Sequence, residues 1–309
     1  KYFPQLAGCR VDRPLSNSSD MGKLFNPWVD SLIKSDAFES ISFEYDSRHY
    51  QCTVKILPLV RNKRLYLFRI EDDTQLQQYI ESLGKSYSQL QKTVAENANF
   101  MHSMQEQMIV NMAKMVESRD NNTGGHIKRT SQVVQLLVEE MRQDKDLNLS
   151  SDFFDALVSA APMHDLGKIA VDDQILRKPG RFTDEEFAMM KKHAKEGAVI
   201  VENLLAQIET PFFVKIAKNV AFFHHERWDG RGYPLGLVGA DIPLEARIMA
   251  VADVFDALVS RRCYKERLSF ANAYDIVVSG MGSQFDPSLL KYFVASFKKM
   301  KEYYCSVEH

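Results

Sequence analysis

The feature that most constrains the fold of this chain is an apolar seam between residues 76 and 108. Its members alternate at spacings of four and three residues: Leu76, Ile80, Leu83, Tyr87, Leu90, Val94, Asn97, Met101, Met104 and Met108. Nearly all positions between them are polar. A repeat of this period places one apolar stripe along a helix and is typical of a parallel, two-stranded coiled coil.

A long helix packed on its own domain is the plain alternative for the same stripe. We favour a homodimer through the coiled coil, because polar residues fill the other faces of the helix and leave little apolar surface for a second contact. Asn97 in the seam would then fix the register at some cost in stability. The helix is therefore predicted to be a linker over residues 75–107, between a domain at residues 1–74 and another at residues 108–309.

The residues before the seam are typical of β-strands. Three segments between Ile41 and Asp72 are rich in β-branched and aromatic residues and are separated by short polar turns. Three consecutive strands that run into a helix resemble the C-terminal two thirds of a PAS sensor domain. We therefore expect a small α+β, PAS-like sensor at residues 1–74.

The residues from about Met108 onward predict helix after helix, with no convincing pair of strands. Thr183 and Glu186 have the spacing of a capping box, and Pro243 suits the first turn of the helix that follows it. The second domain is therefore predicted to be all-α.

Charge and cysteine use exclude some functions. Lys and Arg number 39 against 41 Asp and Glu, so no overall field favours duplex nucleic acid. The four cysteines show no paired spacing, as expected of free thiols in a reducing cytosol.

No apolar run approaches the roughly 18 to 20 residues of a membrane span. We expect a soluble, cytoplasmic chain, and a membrane segment further upstream in a longer parent protein stays open.

Histidine and aspartate are concentrated in predicted helices of the second domain. Five of the eight histidines fall between residues 126 and 225: His126, His164, His193, His224 and His225. His164-Asp165 ends an apolar helix, and Asp253 lies in another, with Asp256 on the same side. A buried carboxylate without a partner costs several kcal/mol, so a metal ion or a cation such as Lys168 must be close. For any one of these residues an ordinary ion pair or core histidine is an adequate explanation, but together they favour a metal site.

The motifs and their order resemble the HD-GYP domain. In this sequence they read His164-Asp165-Leu166-Gly167-Lys168, Lys178-Pro179-Gly180, Met190-Lys191-Lys192-His193, the run at residues 224–234, and the run A-D-x-F-D-A-L around Asp253. They recur in the order of the family across roughly residues 108–300. The resemblance implies an HD-type bundle of helices around a multinuclear metal site.

The metal ligands follow from the resemblance, position by position. It implies two divalent ions, and the donor types suit Fe, Mn, Ni or Zn. One ion would be held by His126, His164, Asp165 and Asp253; Asp165 would also bridge to a second ion, completed by His193, His224 and His225. Asn122 stands where some members carry a glutamate that supports a third ion, so we expect two. Glu117, nine residues before His126, would have to fold back to reach it.

The implied activity is hydrolysis of cyclic di-GMP to the linear dinucleotide, GMP or both, under control of the N-terminal sensor. The ions and Lys168 would offset the charge that accumulates on the phosphoryl oxygens. The substrate contacts would come from Lys168, Tyr233, Arg262 and Lys265, although the last two could simply be solvated basic residues. Cys263 stands where the family usually has proline.

Two alternatives stay open. The motifs bind phosphates and metals and say little about the base, so 3′,3′-cGAMP is a second possible substrate. A non-catalytic module is the other alternative; it would sense a cyclic dinucleotide, or dock a partner such as a diguanylate cyclase, through the loop at residues 230–234.

Overall fold

The computed structural model describes residues 23, 27–28, 31, 40–45, 47–60, 63–120, 125–207, 210–260 and 267–307. The chain divides into two compact units, at residues 1–99 and 100–309. In the part of the chain covered by these ranges, no helix is both long and apolar enough to cross a membrane.

The first unit contains a three-stranded antiparallel sheet in the order β1 (Ser40–Tyr45), β2 (Arg48–Val60) and β3 (Lys63–Asp72). Phe43 pairs with Tyr50 across the first two strands, and their rings stack at a centroid distance of 5.6 Å. These two side chains, with Trp28, Cys52 and Val54, form a small buried core. The three predicted strands are therefore present.

Helix α1 (Thr74–Glu117) follows β3 and is 44 residues long. The side chain of Asp72 accepts hydrogen bonds from the backbone N–H and the hydroxyl of Thr74, at 3.2 and 2.6 Å, where the helix begins. The predicted helix is thus continuous and extends past Met108. Over the seam its apolar side chains are exposed, whereas Ile109, Ala113 and Val116 near its end are buried in the core of the second unit.

The second unit is all-α, as predicted. After α1, the described residues form eight further α-helices: α2 (His126–Arg142), α3 (Ser151–Ala160), α4 (Asp173–Leu176), α5 (Asp184–Leu205), α6 (Pro211–Phe223), α7 (Leu244–Val259), α8 (Phe270–Ser279) and α9 (Leu290–Val307). Helix α7 is apolar on most faces, and a helix of this kind belongs in a core. Its side chains Ile248, Met249, Val251 and Phe255 are accordingly buried.

The helix ends mostly follow the capping chemistry of the sequence. Thr183 and Glu186 form the predicted capping box before α5, and Glu186 also pairs with Lys178. Pro243 occupies the N-cap of α7 and not its first turn, so that prediction was wrong by one residue.

A short irregular segment carries the His164-Asp165 pair. Helix α3 ends at Ala160, and the chain continues as two 3₁₀ turns, Ala161–Met163 and Leu166–Ala170. Gly167 in the second turn packs against α5. A Cβ atom there would lie 1.9 Å from the carbonyl oxygen of His193 and 2.4 Å from the backbone nitrogen of Gly197. Only glycine permits so close an approach of the turn to the helix.

Candidate metal centre

Asp165 lies between two groups of imidazoles. Its Oδ2 atom is 3.7 Å from Nε2 of His126 and 3.4 Å from Nε2 of His164. Its Oδ1 atom is 3.5 Å from Nε2 of His193 and 3.8 Å from Nε2 of His224. One carboxylate therefore presents a different oxygen to each group.

The donor atoms form two sets, in each of which all atoms lie within 4.8 Å of one another. We call His126, His164 and Asp253 the first group, and Asp165, His193, His224 and His225 the second group. The residues come from α2, α5, α6, α7 and the 3₁₀ segment after α3. The structure thus brings together all seven residues that the sequence predicts as metal ligands.

Three of the histidines are oriented by backbone carbonyls of their own segment. Nδ1 of His164 donates to the carbonyl of Ala161 at 2.9 Å, and Nδ1 of His193 donates to Met190 at 2.7 Å. His224 donates in the same way to Val220 at 3.0 Å. Because a carbonyl only accepts, each ring carries a proton on Nδ1, and in His193 and His224 the lone pair is on Nε2. Nε2 of His164 instead lies 3.2 Å from Nε2 of His126.

The Nε2 atoms of His193 and His224 are buried and have no hydrogen-bond partner among the residues that the structure describes. Buried polar atoms are nearly always paired, so two unpaired lone pairs beside a carboxylate need an explanation. Imidazole and carboxylate donors with this orientation suit divalent ions of the first transition row. The residues present therefore fit a metal centre.

The pKa directions agree with this fit. Burial lowers the pKa of His224 to about 3, with His164 adding to the effect, and burial also lowers the pKa of His193 and His225. Burial alone would raise the pKa of Asp165, but Lys168 and His164 hold it well below its usual range. At neutral pH the second group consequently offers neutral imidazoles and a carboxylate, the forms that bind metal. His164 differs, because Asp165 raises its pKa despite burial.

Lys168 lies against Asp165, as predicted, with 2.8 Å between Nζ and Oδ2. Its second partner is Asp120, whose Oδ2 atom is 3.0 Å from Nζ. Burial would lower the pKa of Lys168, but these two carboxylates raise it above its usual value. Lys168 is thus a fixed cation at neutral pH. The sequence contains no signal that links residue 120 to residue 168, and Asp120 was not predicted.

The segment that ends α1 folds back onto the site. The backbone N–H of His126 donates to Oε1 of Glu117 at 2.5 Å. Glu117 therefore does make the fold-back that it needs to reach His126. Nearby, the Arg119 guanidinium donates to the carbonyls of Ile169 and Val171, at 2.7 and 3.2 Å. The end of the long helix therefore contacts both the N-terminus of α2 and the 3₁₀ segment.

A loop after α6 brings Tyr233 to the second group. The Tyr233 ring lies 4.7 Å from that of His225 between centroids, at an interplanar angle of 33°. Burial raises the pKa of its hydroxyl, with Asp165 and Asp253 adding to the effect, so the hydroxyl keeps its proton. The buried Glu226 carboxylate accepts from three consecutive backbone N–H groups, those of residues 235–237, and holds the loop.

Four sequence predictions fall outside the described residues. They concern Asn122, Cys263 and the expected phosphate contacts Arg262 and Lys265.

Comparison with known proteins gives the family. A profile of the HD domain matches residues 111–289. A cyclic di-GMP phosphodiesterase of Vibrio cholerae is 40% identical over 214 residues, which cover 69% of this chain and 44% of that protein. A probable cyclic di-GMP phosphodiesterase of the same organism is 37% identical over 260 residues, which cover 83% of this chain and 57% of that protein.

A third relative carries a different substrate in its name. The 3′3′-cGAMP-specific phosphodiesterase 2 of Vibrio cholerae is 36% identical over 199 residues, which cover 63% of this chain and 36% of that protein. The chain spans about half the length of the curated relatives it matches. The HD profile covers more than half of the chain and contains both donor groups, and the chain therefore belongs to the HD domain family.

Proposed function

We propose that the chain is a metal-dependent phosphodiesterase of the HD-GYP type that hydrolyses a cyclic dinucleotide, with cyclic di-GMP as the leading substrate. The observation that carries this proposal is the Asp165 carboxylate, which faces two sets of buried imidazole nitrogens, one with each oxygen. Relatives at 35 to 40% identity that are named cyclic di-GMP phosphodiesterases support the choice of substrate.

The ligand assignment follows the two groups. The first group would hold one ion and the second group another, with Asp165 shared between them. Bound in this way, two divalent ions supply an activated water and neutralise charge on a phosphoryl group. Asp165 would fix both positions, and His193 and His224 keep their lone pairs on Nε2 because Nδ1 donates to backbone carbonyls.

Lys168 acts in this proposal as a fixed positive charge. It lies beside Asp165 and keeps its proton, because Asp120 and Asp165 both raise its pKa. A group of this kind stabilises negative charge that develops on the phosphate, and it is a poor proton donor. The acid that protonates the leaving oxygen is then a water in the site.

The substrate contacts extend from the second group. We assign Tyr233 to the wall of the substrate cleft, since its ring covers His225. Arg262 and Lys265 remain our choice for the phosphates, because an Arg fork and a Lys point charge suit a phosphodiester. A diguanylate cyclase that docks at the loop of residues 230–234 is a further proposal from the resemblance alone.

The number of ions is proposed to be two. Asn122 offers a neutral amide where a third ion would need an anionic oxygen, and Glu117 is already engaged by the backbone N–H of His126. The identity of the metal, among Fe, Mn, Ni and Zn, is left to metal analysis. Three ions in anomalous maps of a crystal of the protein would contradict this count.

One assay separates the proposed enzyme from its alternatives. The purified protein, loaded in turn with Mn²⁺, Fe²⁺, Ni²⁺ and Zn²⁺, is incubated with cyclic di-GMP or 3′,3′-cGAMP, and products are followed by chromatography. We expect repeated turnover of cyclic di-GMP to the linear dinucleotide or to GMP. Preferential turnover of 3′,3′-cGAMP would favour the activity that one relative carries in its name. Stoichiometric binding without product would instead indicate a non-catalytic binding module.

The N-terminal region is proposed to be a sensor joined to the enzyme by a coiled coil. A three-stranded sheet followed by a long helix is compatible with a PAS-like domain at residues 1–74, a linker at residues 75–107 and the phosphodiesterase at residues 108–309. Along α1 the seam side chains Leu83 and Leu90 are exposed in the single chain, which supports burial against a second copy. A cytoplasmic location stays a prediction from the sequence.

Dimerisation through the seam is tested by charge insertion. The double variant Leu83→Lys, Leu90→Lys places two cations in the seam and should convert a dimer to a monomer in sedimentation experiments. The matched control, Ser82→Lys with Gln89→Lys, adds the same charge at exposed positions outside the seam and should stay dimeric. Equal behaviour of both pairs would show that the seam is not the interface.

A further inference from the structure

His126 is oriented differently from the other histidines of the centre. Nδ1 of His164, His193 and His224 faces a backbone carbonyl three or four residues away. Nδ1 of His126 instead faces a side chain, the Asp256 carboxylate on α7, at 2.7 Å. The orientation of His126 therefore depends on a contact between two helices that are far apart in sequence.

Asp256 is buried, and its two carboxylate oxygens accept hydrogen bonds from the side chains of four residues. Its Oδ1 atom accepts from Nε of Arg129 at 2.6 Å, from the hydroxyl of Ser260 at 2.8 Å and from the hydroxyl of Tyr304 at 2.7 Å. Its Oδ2 atom accepts from Nδ1 of His126 and, at 3.3 Å, from Arg129. Arg129 balances the buried charge, and the hydroxyl donors fix the plane of the carboxylate.

We infer that Asp256 is a positioning residue that keeps the ring proton of His126 on Nδ1, and that Tyr304 of the last helix holds Asp256 in this role. The inference rests on the proposed function, because a fixed tautomer of His126 matters only if His126 binds a metal ion. A carboxylate accepts hydrogen bonds and does not donate them, so His126 presents the lone pair of Nε2 to the site. This Nε2 atom lies 3.2 Å from Nε2 of His164, and 3.7 and 3.6 Å from the carboxylates of Asp165 and Asp253. Partners of this kind fix the tautomer of a metal-binding histidine.

The arrangement joins three elements at one carboxylate. His126 and Arg129 are on α2, Asp256 is on α7, and Tyr304 is on α9 close to the end of the described chain. The Tyr304 ring is buried and packs on Phe255 at 5.7 Å between centroids, so its hydroxyl has little freedom to leave Asp256. The last helix thereby acts on the first group of metal donors without touching it.

Two neighbouring tyrosines provide a matched pair of variants. The hydroxyl of Tyr304 donates to Asp256, whereas the buried hydroxyl of Tyr303 has no hydrogen-bond partner within the described ranges. Tyr304→Phe and Tyr303→Phe remove the same atom from adjacent residues of one helix. Any difference between them at the metal centre reports the contact with Asp256.

Asp256→Asn changes the chemistry of the contact while keeping its shape. Three donors face Oδ1, so the amide oxygen of the asparagine belongs on that side and its NH₂ group faces His126. The NH₂ group donates, which forces Nδ1 to accept and moves the ring proton to Nε2. The variant should therefore present a protonated nitrogen where the unaltered protein presents a lone pair.

The first measurement uses metal-free protein labelled with ¹⁵N-histidine, with the His126 signals assigned by His126→Gln. The nitrogen shifts distinguish the two tautomers. We expect the proton on Nδ1 in the unaltered protein, in Tyr303→Phe and in most molecules of Tyr304→Phe, and on Nε2 in Asp256→Asn. An unchanged His126 tautomer in Asp256→Asn would overturn the inference.

The second measurement is a Co²⁺ titration followed by its absorption. We expect Asp256→Asn to weaken one of two binding events by about 10- to 100-fold, Tyr304→Phe to weaken the same event less, and Tyr303→Phe to leave both unchanged. Equal Co²⁺ affinities in Tyr304→Phe and Tyr303→Phe would overturn the role of Tyr304, and this pair decides the matter if Asp256→Asn does not fold. Absence of Co²⁺ binding in the unaltered protein would contradict the proposed function, whereas the tautomer is measured without metal.

Discussion

The two donor groups of the centre reach similar geometry by different means. In the second group, His193 and His224 are oriented by carbonyls three or four residues earlier in the same helix. In the first group, His126 is oriented by Asp256, which is 130 residues away in sequence. The orientations of His193 and His224 are thus set within α5 and α6 themselves, whereas the orientation of His126 requires α2 and α7 to be packed together.

This difference indicates which histidine should lose its orientation most easily when a substitution shifts a helix. A local hydrogen bond in a helix survives most changes elsewhere in the chain, but a contact between helices is lost when either helix shifts. Substitutions far from the metal donors should therefore affect the first group more than the second. The predictions below test that contrast, beginning with Asp165, which belongs to the second group and also faces the first.

Asp165→Ala removes the carboxylate that faces His126 and His164 with one oxygen and His193 and His224 with the other. We expect loss of most bound metal and a fall in turnover of about 10³-fold or more, because the substitution removes a ligand of both proposed ions and the charge partner of Lys168. Metal content by mass spectrometry and turnover of cyclic di-GMP provide the test. Asp275→Ala, at an exposed position on α8, is the control and should match the unaltered protein. Two tightly bound ions in Asp165→Ala would contradict the bridging role.

Single changes within each group should separate the two ions. His224→Gln removes a donor from the second group only, and Asp253→Asn weakens one in the first group only. Each should lower metal content from two ions per chain to one and reduce turnover by about 10²-fold or more. Loss of both ions from either variant would mean that the groups bind metal as one unit, and the contrast between them would fail.

Acid should destabilise the metal-free protein through the second group. The pKa of His224 is about 3 in the folded protein, below the value of about 6.5 for an unfolded histidine. Between these values the unfolded state binds more protons, so the free energy of unfolding falls as the pH falls. From pH 7 to pH 5 the loss due to His224 alone is about 2 kcal/mol.

Urea unfolding of the metal-free protein at the two pH values measures this loss. His224→Gln cannot titrate in that range, so it should lose about 2 kcal/mol less than the unaltered protein between pH 7 and pH 5. Equal losses in the two proteins would show that His224 is not held neutral by burial.

Features that depend on nearby residues were predictable from the sequence. The three strands, the long helix, the all-α second unit and the capping box at Thr183 follow from periodicity and local capping chemistry. The seven residues proposed as metal ligands were chosen from motifs whose order is similar to that of the HD-GYP domain, and the structure brings them together. For these residues, side-chain type and spacing carry most of the information.

Contacts between distant segments were not predictable. Nothing in the sequence links Asp120 to Lys168 or Tyr304 to Asp256, because these pairs form only when helices pack. The sequence showed only that Glu117, nine positions before His126, would have to fold back to reach it, and the structure shows that it does. The buried partners of charged groups are thus the part of the site that can be identified only from the three-dimensional structure.

Gly167 fixes the distance between the Asp165 turn and the helix that carries His193. Because its Cα lies against the backbone of α5, the spacing between the Asp165 turn and the His193 helix is a distance between main chains, with no side chain that could be shortened or lengthened to adjust it. Substitutions around the centre can retune its charge or its solvent access, but they cannot change this spacing gradually. One added methyl group at residue 167 would have to move an entire helix, so the spacing between Asp165 and His193 within the second group is inherited as an all-or-none property of the fold.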